Sequence, residues 1–349
     1  MRSGPGTLLR QTMDLSIIIV NYKTPALLLD CLRTVYGQTS GISFETLVVD
    51  NASGDDSRER ILSAFPAVKW IQMDYNAGFA RANNEAMRQS GGKSILLLNS
   101  DTLVEKQAIS RCFRLFSDSG YIACGVQLLN EDGSPQISGN YFVPGGLNYL
   151  LPLPYAGAAV KWLATVTRAQ RPNVPDSKGL VEVDWINGAF LMVKRTAIDL
   201  AGLMDEDFFL YAEEAEWCSR LGRYGKLCIF GQVNIIHLQG GSSEAGFDSS
   251  DKHSYNLYDR KGYQMMVSNF VRIRKQYGPG WFLLHLAFYL AEIPLFFTGL
   301  LLTSVAGVFS RRRPRYSFLQ AGQYTLNVFR LTGLAPTIIR NRPHFYKTL

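Results

Sequence analysis

Short apolar runs alternate with helical patterns over the first hundred residues, and this alternation constrains the fold most strongly. Leu15–Val20 is a continuous apolar run, rich in isoleucine, of the kind found in a strand that is buried on both faces of a parallel sheet. Helical patterns begin near Pro25, Asp55 and Ala80. Further strands are predicted at 46–49, 68–73 and 94–98. The order predicts an open α/β sheet that binds ligands at the carboxyl ends of its strands.

The second half of the chain is less regular. Region 139–178 is rich in Gly and Pro around an apolar run from Leu147 to Tyr155, and we expect a long mobile loop with a short helix there. Strands are predicted again at Val181–Ile186 and Ala189–Val193, and a helix at Phe208–Leu221. Hydrophobic residues make up 47% of the chain, enough for a substantial core. One domain is therefore expected over residues 13–270.

The stretch Trp281–Phe309 is strongly apolar and exceeds the roughly 20 residues that a bilayer-spanning helix needs. Glu292 and Pro294 interrupt it, and basic residues flank both of its ends. Because positive charge marks the cytoplasmic side, both ends are expected there. A bent, interfacial or re-entrant hairpin hinged near Glu292 and Pro294 is favoured over a single crossing or a helix in a soluble core. Region 271–349 is thus expected to be a membrane-associating helical segment.

Charge and cysteine content narrow the partners. The net charge is +7, and the densest basic cluster, Arg311–Arg315, follows the apolar stretch, which favours an anionic membrane surface over nucleic acid. Five cysteines without a CxxC pair predict reduced thiols. Residues 1–13 contain no apolar segment typical of a secretory signal. These features favour the cytoplasmic face of the cell membrane.

Polar residues follow three predicted strands. Asp50 can accept hydrogen bonds from a nucleobase or ribose, or it can form an Asx-turn or a helix cap. Gly78 and Arg81 open a helix that can face an anion, or they form an ordinary loop-to-helix junction. Asp101 can hold Mg²⁺ or Mn²⁺ against a diphosphate, or it can cap a helix.

Two further segments carry candidate chemistry. Glu213, Glu214 and Glu216 follow an apolar run, where carboxylates are costly unless they are used or paired; a solvated acidic face is the alternative. His237 precedes Gly240–Ser242, a loop that could wrap a phosphate, or it is a structural histidine. The sequence lacks the P-loop pattern GxxxxGK[ST], a GxGxxG motif after the first strand and the GxSxG elbow.

Seven segments in this order resemble bacterial family 2 glycosyltransferases, especially the rhamnosyltransferase-like branch. The segments are SIIIVNYKT, VVDNASGDDS, NAGFARANN, LLLNSD, VDWINGAFLMVKR, MDEDFFLYAEEAEWCSR and HLQGGS. The resemblance implies the nucleotide-sugar-binding GT-A fold: an open mixed, mostly parallel sheet flanked by helices, here with the C-terminal apolar region. Residues 13–270 would be the catalytic domain, with 139–178 as an acceptor-side loop.

The resemblance also implies roles for individual residues. Glu214 would be the catalytic base, and Asp101 and His237 would hold the metal. Donor-binding positions would be Val20, Asn21, Asp50, Asn51, Gly78, Phe79, Arg81, Asn83, Asn99 and Ser100. Acceptor-side positions would be Asp184, Trp185, Gly188, Ala189, Glu213 and Trp217. Asn99 departs from the family pattern because it stands at the first position of the DxD metal motif, and Glu216 stands where Asp is commoner.

The implied activity is inverting, metal-dependent transfer of a sugar to a hydroxyl of a lipid-linked saccharide in cell-surface polysaccharide biosynthesis. The branch suggests dTDP-L-rhamnose as the donor, with Mg²⁺ or Mn²⁺ as the cofactor. Two alternatives stay open: a polyprenyl-phosphate sugar transferase of the same fold, and a non-catalytic subunit of a glycan assembly complex. The sequence does not decide the oligomeric state, and a homo-oligomer is compatible with it.

Overall fold

The predicted apolar runs form one large sheet in the computed structural model, which describes residues 13–166, 172–174, 176–238, 256–310 and 314–348. Its strands are β1 (Leu15–Asn21), β2 (Phe44–Asp50), β3 (Lys69–Gln72), β4 (Ser94–Asn99), β5 (Thr102–Leu103), β6 (Ala123–Leu129), β9 (Leu180–Val183), β11 (Phe190–Lys194) and β12 (Leu227–His237). A smaller sheet contains β7 (Gly139–Asn140), β8 (Asn173–Val174) and β10 (Trp185–Ile186).

The large sheet is parallel in its first part and mixed in the rest. Its order is β3-β2-β1-β4-β11-β6-β12-β5, with β9 also paired to β12. Strands β3, β2, β1 and β4 run parallel, whereas β11 is antiparallel to both of its neighbours. Strand β12 is parallel to β6 but antiparallel to β5 and β9. The parallel part therefore brings the ends of β1, β2 and β4 to one edge.

The helices divide into those that cover the two faces of the large sheet and a separate C-terminal group. They are α1 (Pro25–Gln38), α2 (Ser57–Ala64), α3 (Gly78–Gln89), α4 (Ala108–Ser117), α5 (Ala156–Val166), α6 (Arg195–Ala201), α7 (Glu213–Leu221), α8 (Arg260–Tyr277), α9 (Pro279–Ser310) and α10 (Phe318–Arg340). Ile17 and Ile19 of β1 face the core formed with α1, α2 and α4. Ile18 faces the opposite core with α3, α6 and α7. This double burial explains why the run is continuously apolar.

Two predicted elements have different bounds in the structure. The helix expected at Phe208–Leu221 begins only at Glu213, because Tyr211 and Ala212 have φ of 73° and 68°. These left-handed values are incompatible with a right-handed helix. The single strand expected at Val181–Ile186 divides into β9 and β10, which belong to different sheets. Region 139–178, expected as a long mobile loop with a short helix, contains a 3-10 helix at Pro144–Leu150 and α5.

The C-terminal helices form a third core of their own. Helices α8, α9 and α10 pack on one another and on the Pro144–Leu150 helix. The hairpin predicted at Glu292 and Pro294 is wrong: α9 continues through both residues. Glu292 is fully buried, and its carboxylate accepts hydrogen bonds from the backbone N–H groups of Tyr155 (2.6 Å) and Ala156 (2.8 Å). A carboxylate is favourable at this position because it lies at the amino end of α5. Helix α9 is long and apolar enough to cross a membrane.

The boundary expected between residues 270 and 271 falls inside α8, which begins at Arg260. Among the C-terminal basic residues, Arg311–Arg313 lie outside the described residues, as does the Gly240–Ser242 loop.

Candidate active site

Strand pairing brings the first polar residues together at the carboxyl edge of the sheet. In the parallel register, Asn21 at the end of β1 lies opposite Asp50 at the end of β2. On the other side of β1, Val20 lies opposite Asn99 of β4. Asn21, Asp50 and Asn99 thus line one edge, the usual ligand-binding edge of such a sheet.

Asp50 is buried and fixed by several donors. Its Oδ1 accepts from Asn21 Nδ2 at 2.8 Å and from the Ser53 hydroxyl, and its Oδ2 accepts from Gln72 Nε2 at 2.8 Å and from the Ser53 backbone N–H at 3.0 Å. The Ser53 contacts form the turn that the sequence allowed as an alternative role. The helix-cap alternative is wrong, since Asp56 stands at the N-cap of α2.

Asn51 holds the loop that precedes α3. Its Nδ2 donates to Gly78 O at 3.1 Å and to Asn76 Oδ1 at 3.0 Å, and its Oδ1 accepts from the Ala77 N–H at 2.8 Å. Gly78 has φ of +76°, and a Cβ there would lie 2.1 Å from Phe209 O. The close backbone approach that requires this glycine is therefore made by Phe209.

Arg81 is held among protein groups at the surface end of the same loop. Its Nε donates to Glu206 O at 2.9 Å and its Nη1 to the Tyr75 hydroxyl at 3.1 Å. The guanidinium carbon lies 3.9 Å from the centre of the Phe345 ring, a stacked cation–π geometry. Asn83 is buried inside α3, where its Nδ2 donates to Phe79 O at 2.9 Å.

The metal candidates are Asp101, in the turn after β4, and His237, at the end of β12, and the fold brings them together. His237 Nε2 lies 3.4 Å from Asp101 Oδ1 and 3.4 Å from Asn99 Nδ2. On the other side of the ring, Nδ1 lies 2.9 Å from Gln136 Oε1. An amide oxygen only accepts, so Nδ1 carries the proton and the Nε2 lone pair faces the Asp101 carboxylate.

This pair fits a divalent cation whose other ligands come from a diphosphate and water. A carboxylate oxygen opposite an imidazole lone pair calls for a proton or a cation between them, and the Gln136 contact is the outer contact that orients metal-bound histidines. Within the described ranges no group of three or more His, Cys, Asp or Glu side chains could hold a metal by itself. Ser100 Oγ, beside the pair in sequence, lies 3.5 Å from Thr24 Oγ1.

Glu213 and Glu214 begin α7, where the helix N-terminus favours negative charge. Burial raises the pKa of Glu214, while its own backbone N–H and the charge of Arg272 act in the opposite direction. Burial and the neighbouring Glu214 charge hold the pKa of Glu213 well above its usual range. Glu213 Oε2 is buried without a hydrogen-bond partner in the described part of the chain. The pair therefore carries one charge more readily than two.

Gly188 lies between Glu214 and the donor loop. A Cβ at Gly188 would lie 3.7 Å from Glu214 Cγ and 3.7 Å from the Phe79 ring. The base candidate, the donor-loop aromatic ring and the acceptor-side glycine thus surround one small space. Ala189, the next residue, is buried, and its carbonyl accepts from the Asn99 N–H at 3.1 Å.

Among the other acceptor-side candidates, Trp217 and Asp184 have structural partners. Trp217 is fully buried and donates from Nε1 to Gly202 O at 2.8 Å, which leaves no ring face for a sugar. Asp184 Oδ2 accepts from the Phe142 N–H at 2.8 Å. Trp185 Nε1 is buried and has no partner among the residues described. Glu216 pairs with Arg220 through both carboxylate oxygens, so it does not belong to the site.

Comparison with known proteins shows what the sequence and the fold are similar to. The family model described as glycosyl transferase family 2 matches residues 16–169, which include β1, β2, β4 and the donor loop. Over this part of its length the chain resembles glycosyltransferase family 2. Its mixed sheet with flanking helices is the GT-A-like fold, and a mannosyltransferase from Pyrobaculum calidifontis, solved with GDP-Man and Mn²⁺, superposes with a TM-score of 0.54. That likeness covers 92% of this chain and 87% of the other at 16% identity, and it concerns the fold alone.

Curated proteins that this chain is similar to are named as sugar transferases. The low-salt glycan biosynthesis hexosyltransferase Agl10 of Haloferax volcanii is 29% identical over 61% of this chain, and the match spans 64% of that relative. N-acetylglucosaminyl-diphospho-decaprenol L-rhamnosyltransferase of Mycobacterium tuberculosis is 25% identical over 56% of this chain and 67% of its own length. dTDP-rhamnosyl transferase RfbF of Shigella flexneri is 24% identical over 56% and 60%. The matches thus span about two thirds of these relatives or less.

The family motifs missed three groups that the structure places around the site. Gln136 orients His237, yet it lies in an irregular segment without periodicity. Phe345 stacks on Arg81 from the far end of the chain. Arg272 is buried on α8 and its charge acts on Glu214. An arginine between the buried residues Val271 and Ile273 was the only sequence signal for it.

Proposed function

We propose that this protein is an inverting, metal-dependent glycosyltransferase that moves L-rhamnose from dTDP-L-rhamnose to a hydroxyl of a lipid-linked saccharide in cell-surface polysaccharide biosynthesis. The family resemblance and the printed names of the curated relatives support the class. The observation that carries the proposal is the position of Glu214, a half-buried residue whose Cγ borders the same space at Gly188 as the donor-loop ring of Phe79. A base in this position can reach an acceptor hydroxyl beside a bound sugar.

In the proposed reaction the acceptor oxygen attacks the anomeric carbon of the donor. The new glycosidic bond forms as the bond from that carbon to the diphosphate oxygen breaks, and the electron pair leaves with the nucleoside diphosphate. Glu214 removes the proton of the acceptor hydroxyl, and general-base help of this kind is worth about 10²–10⁴-fold. Glu213, held neutral by burial and by Glu214, keeps a second negative charge away from the attacking oxygen.

The donor side of the site is assigned to the strand edge. Asp50, fixed by Asn21, Ser53 and Gln72, would accept from the base or ribose of the nucleotide. Asp101 and His237 would hold the divalent cation, which when bound neutralises charge on the departing diphosphate. Asn51 and Gly78 shape the loop, and we assign them a positioning role.

The site is proposed to work at the cytoplasmic face of a membrane. Apolar side chains are exposed on three elements beside the acceptor region: α5 (Trp162, Leu163, Val166), α9 (Leu295, Leu301, Leu302, Val305) and α10 (Phe318, Leu319, Leu326, Phe329). We call these residues the apolar surface. An exposed apolar surface of this extent favours an interfacial or membrane-inserted position.

Glu214→Gln tests the base assignment. Turnover with the preferred donor should fall by about 10²-fold or more, because glutamine accepts no proton, while nucleoside diphosphate binding stays unchanged. In the wild type, burial raises the pKa of Glu214, so kcat should fall as the pH drops through a value above that of an ordinary carboxyl group. That acid limb should be absent in the variant. Glu59→Gln, an exposed position on α2, is the matched control. Wild-type turnover in Glu214→Gln would remove Glu214 from the mechanism.

The donor is tested separately by screening nucleotide sugars with and without Mn²⁺ by thermal shift. dTDP-L-rhamnose should raise Tm more than UDP- or GDP-linked sugars, since a ligand that binds only the folded state stabilises it. A larger shift with another nucleotide sugar would replace the donor assignment and leave the reaction type intact.

A further inference from the structure

Arg272 is a buried cation that makes no ion-pair contact with a carboxylate in the described part of the chain. Its side chain is 5% exposed, on the face of α8 that meets the acceptor-side region. Among the residues that the structure describes, no carboxylate oxygen lies within 4.0 Å of its guanidinium. Buried charges are normally paired, because removing an isolated ion from water is costly. Lys275 of α8, whose side chain is partly buried, follows this rule and pairs with Asp205 and Asp207.

Neutral groups fix the orientation of the guanidinium. Nε donates to Gln276 Oε1 at 2.8 Å, and Nη1 donates to the Tyr149 hydroxyl. The guanidinium carbon lies 4.7 Å from the centre of the Phe142 ring and 5.5 Å from that of the Tyr149 ring. These contacts hold the arginine in one position but do not neutralise it. Nη2 makes no hydrogen bond within the described part of the chain, so the fork retains donors for an anionic ligand.

The position of Arg272 lies between the reaction centre and the apolar helices. Its helix packs against α7, which carries Glu214, and against α9. Tyr149, which contacts the guanidinium, accepts at its carbonyl from the Tyr289 hydroxyl of α9 at 3.0 Å. Arg272 thus lies on a helix that contacts both the helix carrying Glu214 and a helix of the apolar surface.

We propose that Arg272 binds the phosphate group that joins the acceptor saccharide to its lipid. This inference rests on the proposed function, since it assigns a part of the same acceptor. A sugar hydroxyl would lie at Glu214, the anionic linker at Arg272 and the lipid against α5 and α9. Arginine suits this position because its planar fork matches phosphate oxygens. The ligand class is therefore a lipid phosphate or diphosphate, and a neutral glycolipid is a poor substrate.

Binding of farnesyl diphosphate tests the site without catalysis. Calorimetry would use the full chain in detergent, with EDTA and a saturating nucleoside diphosphate so that the donor site is filled. Farnesyl diphosphate should bind the wild type and the control Arg260→Gln, which loses the same charge at an exposed position of α8. Arg272→Gln should bind it about tenfold to a hundredfold more weakly, the loss expected for a hydrogen-bonded ion. Equal binding by Arg272→Gln would overturn the proposal.

Two further ligands separate the sources of the anion. Farnesol should bind weakly to every variant, because it lacks the phosphates that Arg272 recognises. Inorganic pyrophosphate should bind more weakly than farnesyl diphosphate, because it lacks the lipid that the apolar helices contact. Pyrophosphate binding as tight as that of farnesyl diphosphate would assign the site to a free anion and overturn the lipid assignment.

Steady-state kinetics distinguish this inference from the proposed function. On the plateau of the pH–rate profiles, Arg272→Gln should raise KM for a lipid-diphosphate-linked sugar while KM for the nucleotide sugar stays unchanged. The neutral alkyl glycoside of the same sugar should show the same kcat/KM in both proteins. Arg272→Lys, which keeps the charge but not the fork, should lie between them. Full transfer with unchanged acceptor KM in Arg272→Gln would refute the Arg272 site alone. If the wild type transfers no sugar, and farnesyl diphosphate binds the wild type but not Arg272→Gln, the result would support the Arg272 site and reject the proposed reaction.

Discussion

At the scale of single residues, the site depends on side chains that fix the state of other side chains. Gln136 is the clearest example: its Nε2 donates to His237 O at 2.6 Å and to Asn130 Oδ1 at 2.8 Å, which leaves Oε1 to accept from the imidazole. The imidazole therefore presents its lone pair to Asp101. Asn99 stands at the first position of the proposed metal motif, where this orientation of His237 would supply a ligand in place of the missing carboxylate.

Gln136→Leu should weaken Mn²⁺ binding by about tenfold to a hundredfold, since leucine accepts no hydrogen bond from Nδ1 and the ring loses its fixed tautomer. The measurement is a Mn²⁺ titration by calorimetry with nucleoside diphosphate present. Gln232→Leu, an exposed glutamine on the same strand as His237, should leave the affinity unchanged. An unaltered Mn²⁺ affinity in Gln136→Leu would separate His237 from the metal.

The sequence indicates the candidates at strand ends and misses those that arrive from distant segments. Asp50, Asn99 and Asp101 could be predicted because a parallel sheet gathers its strand ends whatever the loops do. Gln136 and Arg272 could not, because their roles depend on contacts between segments about a hundred residues apart. Motif similarity placed Trp217 on the acceptor side, but its large apolar ring fills the core instead.

At the scale of elements, α5 and α9 are joined by one carboxylate. Glu292 accepts from the Tyr155 and Ala156 N–H groups at the start of α5, where a helix leaves donors unsatisfied. The sequence around Glu292 shows no partner for this carboxylate, so the sequence alone predicts the hinge of a hairpin there. The strands of the large sheet were predictable for the opposite reason: their periodicity is local, so neighbouring residues suffice to reveal them.

Glu292→Ala should loosen the start of α5. Each lost hydrogen bond to a charged group costs about 1.5–3 kcal/mol, so amide hydrogen exchange at 155–159 should accelerate by about tenfold or more. Mass spectrometry of peptides from this region provides the measurement. Thr298→Ala, which removes an exposed hydroxyl from the same helix, serves as the control. Exchange rates equal to the wild type in Glu292→Ala would show that α5 is held by apolar packing alone.

At the scale of the whole molecule, the candidate polar site residues lie mainly on the sheet domain, whereas most residues of the apolar surface lie on the C-terminal helices. The apolar surface includes Trp162 and Leu302, whose exposed fractions are 67% and 72%. Soluble proteins rarely expose continuous apolar areas of this kind without a partner. The Pro144–Leu150 helix and α5 of the acceptor-side segment pack against α9, so the apolar surface adjoins that segment.

Trp162→Asp combined with Leu302→Asp should reduce binding to anionic phospholipid vesicles, measured as the fraction that floats with them. Each buried apolar side chain contributes about 1.5–3 kcal/mol to insertion, and the added charges oppose it further. Leu200→Asp on α6, which replaces an equally exposed leucine away from the apolar surface, is the matched control. Flotation that is the same in all three proteins would place membrane contact elsewhere.

The short segment after α10 connects the C-terminal helices to the donor loop. Helix α10 ends at Arg340, and five residues later Phe345 covers the guanidinium of Arg81, while Lys347 Nζ donates to Asn76 O at 3.2 Å. The donor loop is thus tethered to the last helix of the apolar bundle. A detergent that displaces α10 would change the contact of Phe345 with Arg81 while the strands stay in place. We therefore expect donor affinities measured in micelles and in vesicles to differ.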